Sequence, residues 1–122
     1  MDLLTSFSVT SQTTPDDGHD LIHPLLAEGE TIELAYKHVR DRVWFTDRRI
    51  LTLDVQGLTG SKKNFRSFPY GKIGSYAVET AGLMDTDADF KIWVSGVGLF
   101  EINFSRTIDV TPVNRLLASR VV

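Results

Sequence analysis

The chain has no cysteine in its 122 residues. That excludes disulfides and thiolate metal sites, so the fold must rest on an apolar core. Nor does any apolar run approach the ~20 residues with which a helix spans a bilayer. Lysine and arginine are missing from the first 33 residues. Between Met1 and Glu33 stand Asp2, Asp16, Asp17, Asp20, Glu28, Glu30 and Glu33 without a single base. A start that has an acid at Asp2 and no positive charge lacks the form of a secretory signal peptide, so the expected location is the cytoplasm. Net charge is -3, which argues against a nucleic-acid partner. What the chain does have is a hydrophobic fraction of 42%, enough for one core. The length suits a single domain.

The clearest pattern is Arg42–Asp54, RVWFTDRRILTLD. It predicts two strands, 42–46 and 50–54, joined at the polar Asp47, Arg48 and Arg49. Val43 with Phe45, and Leu51 with Leu53, are the expected inward pairs. Ahead of them, 31–38 alternates, with Ile32, Leu34 and Tyr36 on one face and Glu33, Ala35 and Lys37 on the other. Further strands are predicted over 64–68, 73–80, 89–95 and 99–104. Between them lie a glycine-containing loop over 55–63 and turns over 82–87 and 96–98. About seven strands at this spacing suit an antiparallel barrel or sandwich.

The two ends read differently. Residues 1–18 are rich in Ser and Thr and are expected to form an arm with weak structure of its own. Its Leu3, Leu4, Phe7 and Val9 could dock it on the domain or on a neighbour. The division expected is an arm over 1–20 and a domain over 21–122. A short helix is predicted over 17–27, with Leu21, Ile22, Leu25 and Leu26 on one side and Pro24 restricting it. At the other end Val110, Val113, Leu117 and Val121 recur at helical spacing beside Leu116. Pro112 fits a first turn, and Thr111 or Asp109 can cap it.

Motifs that carry chemistry fall short on spacing. Gly57–Lys63, GLTGSKK, has two residues between its glycines where a phosphate-binding loop needs four, and no Ser or Thr follows Lys63. Asp85–Asp89, DTDAD, opens like a calcium loop, but Phe90 and Gly96 stand where glycine and a bidentate glutamate belong. His19 and His23 lie four apart near Asp16 and Asp20, yet two imidazoles are too few for a closed zinc site. No nucleophile, base and orienter gather at suggestive spacing, so neither catalysis nor a cofactor is expected.

Charge supplies the candidate surfaces instead. Glu79, Asp85, Asp87 and Asp89 crowd eleven residues beside Thr80 and the small Ala81 and Gly82. Like charges this close favour a partner that offsets them. These residues, with Arg40, Asp41 and Gln56 as possible partners, form the candidate interaction surface. Lys37, Arg40, Arg42, Lys62 and Lys63 flank two turns and form a candidate site for a phosphate or an anionic headgroup.

Several segments carry a resemblance. Glu28–Asp41 (EGETIELAYKHVRD), Phe45–Leu51 (FTDRRIL), Asp54–Lys63 (DVQGLTGSKK), Ser67–Ile73 (SFPYGKI), Val78–Gly96 and the closing TIDV with LLA are similar to the bacterial pleckstrin-homology (PH) family. The likeness covers roughly Leu21 to Val122, the size of one domain. Met84, Thr86, Asp89 and Phe90 depart from the family pattern, which has an aromatic residue or histidine, Leu, Glu and Leu there. The Ser/Thr-rich start departs from a more helical one. The resemblance implies a PH-like barrel of about seven antiparallel strands, capped by one C-terminal helix. It also implies a cyclic homo-oligomeric ring, a pentamer for a single-domain member, and protein–protein interaction as its work. Phosphoinositide binding by eukaryotic PH domains makes an anionic lipid the alternative ligand. No catalytic or cofactor residues carry over.

Overall fold

The computed structural model describes residues 3–80 and 87–121, with side chains from Ser6 onward. The predicted strands are all present: β3 (Ile32–His38), β4 (Asp41–Thr46), β5 (Arg49–Gln56), β6 (Lys62–Pro69), β7 (Ile73–Thr80), β8 (Ala88–Val94) and β9 (Gly98–Phe104). Two more precede them, β1 (Leu3–Val9) and β2 (Ser11–Thr13). Gln56, Lys62 and Lys63, expected in a loop, therefore lie in β5 and β6. The turn expected over 82–87 falls largely outside the described residues.

The opening segment corrects the reading of a weakly structured arm. Phe7 and Val9 are buried while Ser6 and Ser8 are exposed, the period of two that a half-buried strand requires. β1 lies parallel to β9, and β2 pairs with β3. At the corner between them, Thr10 N–H donates to the Lys37 carbonyl and Ser105 N–H to that of Val9, each at 3.0 Å.

The strands form two sheets, in the orders β1-β9-β8-β7 and β2-β3-β4-β5-β6. Of the antiparallel barrel or sandwich expected, the strands form the sandwich, with one parallel pair. It stays open where Pro69 and the tight turn Tyr70–Lys72 carry the chain from β6 to β7. Proline has no N–H to extend a ladder, and these two consecutive strands share none.

The main core lies between the sheets and includes Phe7, Tyr36, Val43, Phe45, Ile50, Phe90, Ile92, Phe100, Ile102 and Phe104. A second cluster of Ile22, Ala35, Trp44, Leu51 and Leu53 covers the opposite face of the five-stranded sheet. β4 is consequently buried on both faces, which accounts for its unbroken Val43-Trp44-Phe45 run. The two expected inward pairs face opposite ways: Val43 and Phe45 enter the main core, Leu51 and Leu53 the second cluster. A register shift between Ile32 and Leu34 also breaks the alternation of β3. It sends Leu34 to the main core and Ile32 to the second cluster.

The first helix is shorter than predicted. α1 spans His19–Ile22 and a 3-10 turn follows over His23–Leu25, at Pro24. Only Ile22 is fully buried, whereas Leu21 and Leu25 stay largely exposed. Gly18 before it has φ +78°, and a Cβ there would lie 2.7 Å from Arg42 Nη1. The positive φ favours glycine, whereas the Arg42 side chain could move aside for a Cβ. α2 (Thr111–Arg120) buries Val113, Leu116 and Leu117 against the main core. Asp109 makes the capping contact, accepting from the Thr111 N–H at 3.0 Å. That bond holds the Asp109 carboxyl below its ordinary range. Among the described residues no helix is long and apolar enough to cross a membrane.

Two buried tyrosines make a matched test of this core. The Tyr70 hydroxyl donates to the Thr46 carbonyl at 2.7 Å. The Tyr36 hydroxyl is buried without a partner among the described residues, and burial, reinforced by the charge of Asp109, pushes its pKa up to about 12. Leaving a buried donor unpaired costs more than a made bond contributes, so Tyr36→Phe should raise stability by about 1 kcal/mol. Tyr70→Phe should lower it by about 1–2 kcal/mol, because it strands a carbonyl. Urea midpoints of the two variants check this, and shifts of the same sign would refute it.

Candidate interaction surface

Register places the acids on the outer face of the four-stranded sheet. Tyr76, Val78 and Thr80 of β7 stand opposite Ile92, Phe90 and Ala88, which face the core. Ser75, Ala77 and Glu79 therefore point outward, opposite Trp93, Lys91 and Asp89. The rows continue into β9, where Leu99, Glu101 and Asn103 complete them. Glu79 and Asp89 face each other directly, and like charges so placed repel.

Neighbouring groups relieve that repulsion in part. Lys91 Nζ lies 3.0 Å from Glu79 Oε1, and Asn103 Nδ2 donates to Asp89 Oδ1. The bond to Glu79, with Glu101 and Asp89 nearby, raises the Lys91 pKa. Asp87 accepts the Arg106 N–H at 3.1 Å. One lysine thus serves three carboxylates on this face. Glu79, Thr80, Asp87, Asp89 and Asn103 line a shallow recess of about 280 Å³ at its end. Asp85 lies outside the described residues.

The other expected members sit at the same end of the sandwich but on the other sheet. The row Thr80, Ala88, Phe104 reaches Val9, and two residues on, at Ser11, begins the row Lys37, Arg42, Leu53. The turns after β3 and β5 therefore project at this end. Arg40 Nη1 donates to the Gly57 carbonyl at 2.7 Å and ties these turns together. Asp41 Oδ1 accepts the Val55 N–H at 3.0 Å, and Gln56 Nε2 donates to Asp54 at 2.8 Å. Arg40, Asp41 and Gln56 thus serve local loop structure, and no contact joins them to the acidic rows among the described residues.

The basic set is dispersed. Arg42 is ion-paired with Asp17 at 3.2 Å. Lys62 and Lys63 are adjacent on β6 and so point to opposite faces. Lys37 stands opposite Arg42 across the β3–β4 ladder. Three acids of the N-terminal stretch are answered internally as well. Asp17 pairs with Arg42, Glu30 with Arg49 at 2.8 Å, and Glu33 with Arg120 at 2.8 Å. His19 and His23 do meet, ring centroids 4.8 Å apart. Among the described residues, however, no three His, Asp or Glu side chains gather as a metal would need.

Sequence reasoning missed Lys91, Glu101 and Asn103 as members of this surface. The alternation of β8 and β9 held the signal, since it puts all three on the outer face. Their partners could not be named until the register was known.

Comparison with known proteins agrees with this architecture. The family model of the bacterial PH domain matches residues 3–121. The chain is 43% identical over 102 residues to the uncharacterized protein YjqA of Bacillus subtilis strain 168, covering 82% of this chain and 81% of that one. It is 35% identical to YozO of the same organism over 101 residues, 82% of this chain and 86% of that one. A DUF1696-family protein with a pleckstrin-homology domain from Shewanella loihica PV-4 superposes with TM-score 0.83 at 32% identity, covering 92% of this chain and 97% of that one. A pleckstrin-homology domain from Shewanella amazonensis SB2B gives 0.72 at 35% identity, over 92% and 91%. With matched residues running from β1 through α2, this chain belongs to the bacterial PH-domain family.

Proposed function

We propose that the chain is a non-enzymatic interaction module of the cytoplasm. In this reading it assembles with its own copies into a cyclic ring, pentameric as the family resemblance implies, and offers its acidic end to a protein partner. The observation that carries the reading is the charge left over once internal pairs are counted. Glu79, Asp89 and Glu101 share one nearby lysine on the four-stranded sheet. Lys62, Lys63 and Arg66 form no ion pair among the described residues and lie on the edge strand of the other sheet. Unlike patches on different sheets favour a head-to-tail contact, and such contacts close into rings or run on as fibres. Light scattering at micromolar concentration should therefore give a mass several times 13.7 kDa. A monomer would sink the ring.

The partner surface has its own test. An Asp87→Asn/Asp89→Asn variant should lose a protein captured from lysate by the wild type and, because Asp89 also belongs to the acidic patch of the head-to-tail contact, should weaken the ring. Identical partners together with identical ring size for both would defeat it. The anionic-ligand alternative through Lys37, Arg40, Arg42, Lys62 and Lys63 is the weaker reading, since Arg42 is already paired and the lysines diverge. Sedimentation with anionic vesicles at low salt should leave the protein in the supernatant. Pelleting would favour that alternative.

A further inference from the structure

We propose that the free edge of β7 takes up an extended strand of another protein, one that alternates apolar with basic side chains. β7 pairs with β8 on one side, and among the described residues no strand pairs with its second edge. The chain's other edges carry the devices that discourage pairing. β2 has three residues. β6 carries Lys62 and Lys63 at one end and Pro69 at the other. β1 has a register shift between Leu3 and Thr5. β7 has its shift between Ile73 and Ser75. From Ser75 to Thr80 it then runs without lysine, proline or a further irregularity.

The two faces of β7 define what fits beside it. An added strand would hydrogen-bond to the β7 backbone and alternate its own side chains between the faces. Those on the inner side would lie along Tyr76, Val78 and Thr80. Val78 is 39% exposed at a core-facing position, on the flank where β6 and β7 part. An apolar side chain there would cover it. Those on the outer side would lie along Ser75, Ala77 and Glu79, with Asp89 and Glu101 beyond and Lys91 as the one base. Lysine or arginine would meet that surplus, and the small Ala77 leaves room for a long side chain.

This chain's own edges do not supply such a strand. The inner row of β6 holds the polar Lys62, Asn64 and Arg66 before Phe68, which is already buried in the core, and its outer row mixes Lys63, Phe65 and Ser67. A second β7 would set two acidic edges side by side. The occupant is therefore a different protein. The inference rests on reading the chain as an interaction module, but not on the ring.

An NMR titration of the labelled protein with a synthetic octapeptide alternating valine and lysine tests it. Amide shifts should concentrate at Ser75–Thr80, and hydrogen exchange of the outward-facing β7 amides should slow by about tenfold or more. An octapeptide alternating valine and glutamate should not bind. Val78→Lys, which places on β7 the guard that other edges carry, should weaken binding by about tenfold. Glu79→Gln should weaken it several-fold, with less salt dependence. Both variants should keep the wild-type spectrum elsewhere. Shifts mapping to another face, equal binding of the glutamate peptide, or indifference to Val78→Lys would overturn the proposal. So would β7 protection that grows with protein concentration alone, since that assigns the edge to a second copy. Light scattering on the same samples separates the two readings. A monomer that binds the lysine peptide at β7 discards the ring and keeps this site, and a ring whose β7 ignores it does the reverse.

Discussion

Replacing Glu30 by glutamine should destabilise the protein by about 3–5 kcal/mol at neutral pH and remove most of its sensitivity to acid. Glu30 is buried in a network that joins four segments. Its Oε1 accepts the Ala27 N–H at 2.9 Å and Arg49 Nη2 at 2.8 Å. Its Oε2 accepts the Thr46 hydroxyl at 2.7 Å and Arg49 Nε at 2.9 Å. Arg49 Nη2 also donates to the Leu25 carbonyl at 2.8 Å, which ties the 3-10 turn to β5. Burial by itself would raise the Glu30 pKa. The bonds from Arg49, Ala27 and Thr46 outweigh it and lower the value from 4.5 to about 2. The sign follows directly: a depressed carboxylate contributes fully above its unfolded value of 4.5 and loses that contribution as pH falls towards 2. The displacement corresponds to roughly 3 kcal/mol. Urea unfolding followed by tryptophan fluorescence from neutral pH to about 2.5 should show wild-type stability dropping across this window. The Glu30→Gln curve should be flatter, starting lower and approaching wild type at the acid end. Asp109, held low by the Thr111 N–H, leaves a residual slope in the variant. A variant with the wild-type slope would place the acid sensitivity elsewhere.

Much of the fold could be read from local pattern, and the exceptions have physical causes. β7 was predicted over the residues it occupies, because its period of two lies between clear breakers. The unbroken apolar run at Val43-Trp44-Phe45 marked a strand but could not say that its two faces meet different clusters. That depends on Ile22, some twenty residues earlier, folding back over the sheet. β1 escaped notice because serine and threonine fill its outward positions and a parallel pairing needs no adjacent turn. Its signal was present in the buried Phe7 and Val9 set two apart.

The Glu30 network could not be read at all. Glu30, Thr46 and Arg49 are ordinary polar residues at separations of 16 and 19 along the chain, and only the fold brings them together. The acidic surface lies between these cases. Its composition was plain, but the cross-strand contact of Glu79 with Asp89, and the roles of Lys91 and Asn103, follow from register. Arg40, Asp41 and Gln56 read as possible partners on that surface, and each makes a hydrogen bond within its own loops, which only the fold could show.

Leu117→Ala should cost about 2–5 kcal/mol, the range for a large apolar side chain removed from a site that cannot collapse. α2 has ten residues, too short to persist by itself in water, so its stability must come from packing. Leu117 is fully buried in the main core, alongside Val113. Alanine is the better helix former, so any loss reports lost contacts and a cavity rather than weakened helix propensity. Two controls on the same helix separate the causes. Leu116 retains 8% exposure, and Leu116→Ala should cost less than Leu117→Ala. Arg120 is paired with Glu33 on a solvent-exposed rim, both side chains more than a third exposed, so Arg120→Ala should cost less than either leucine substitution. The order Leu117, Leu116, Arg120 in denaturation midpoints is the expected result. A Leu117→Ala midpoint equal to wild type would mean that α2 does not cover the core through this residue, and a larger loss at Arg120 would assign the docking of the helix to its ion pair.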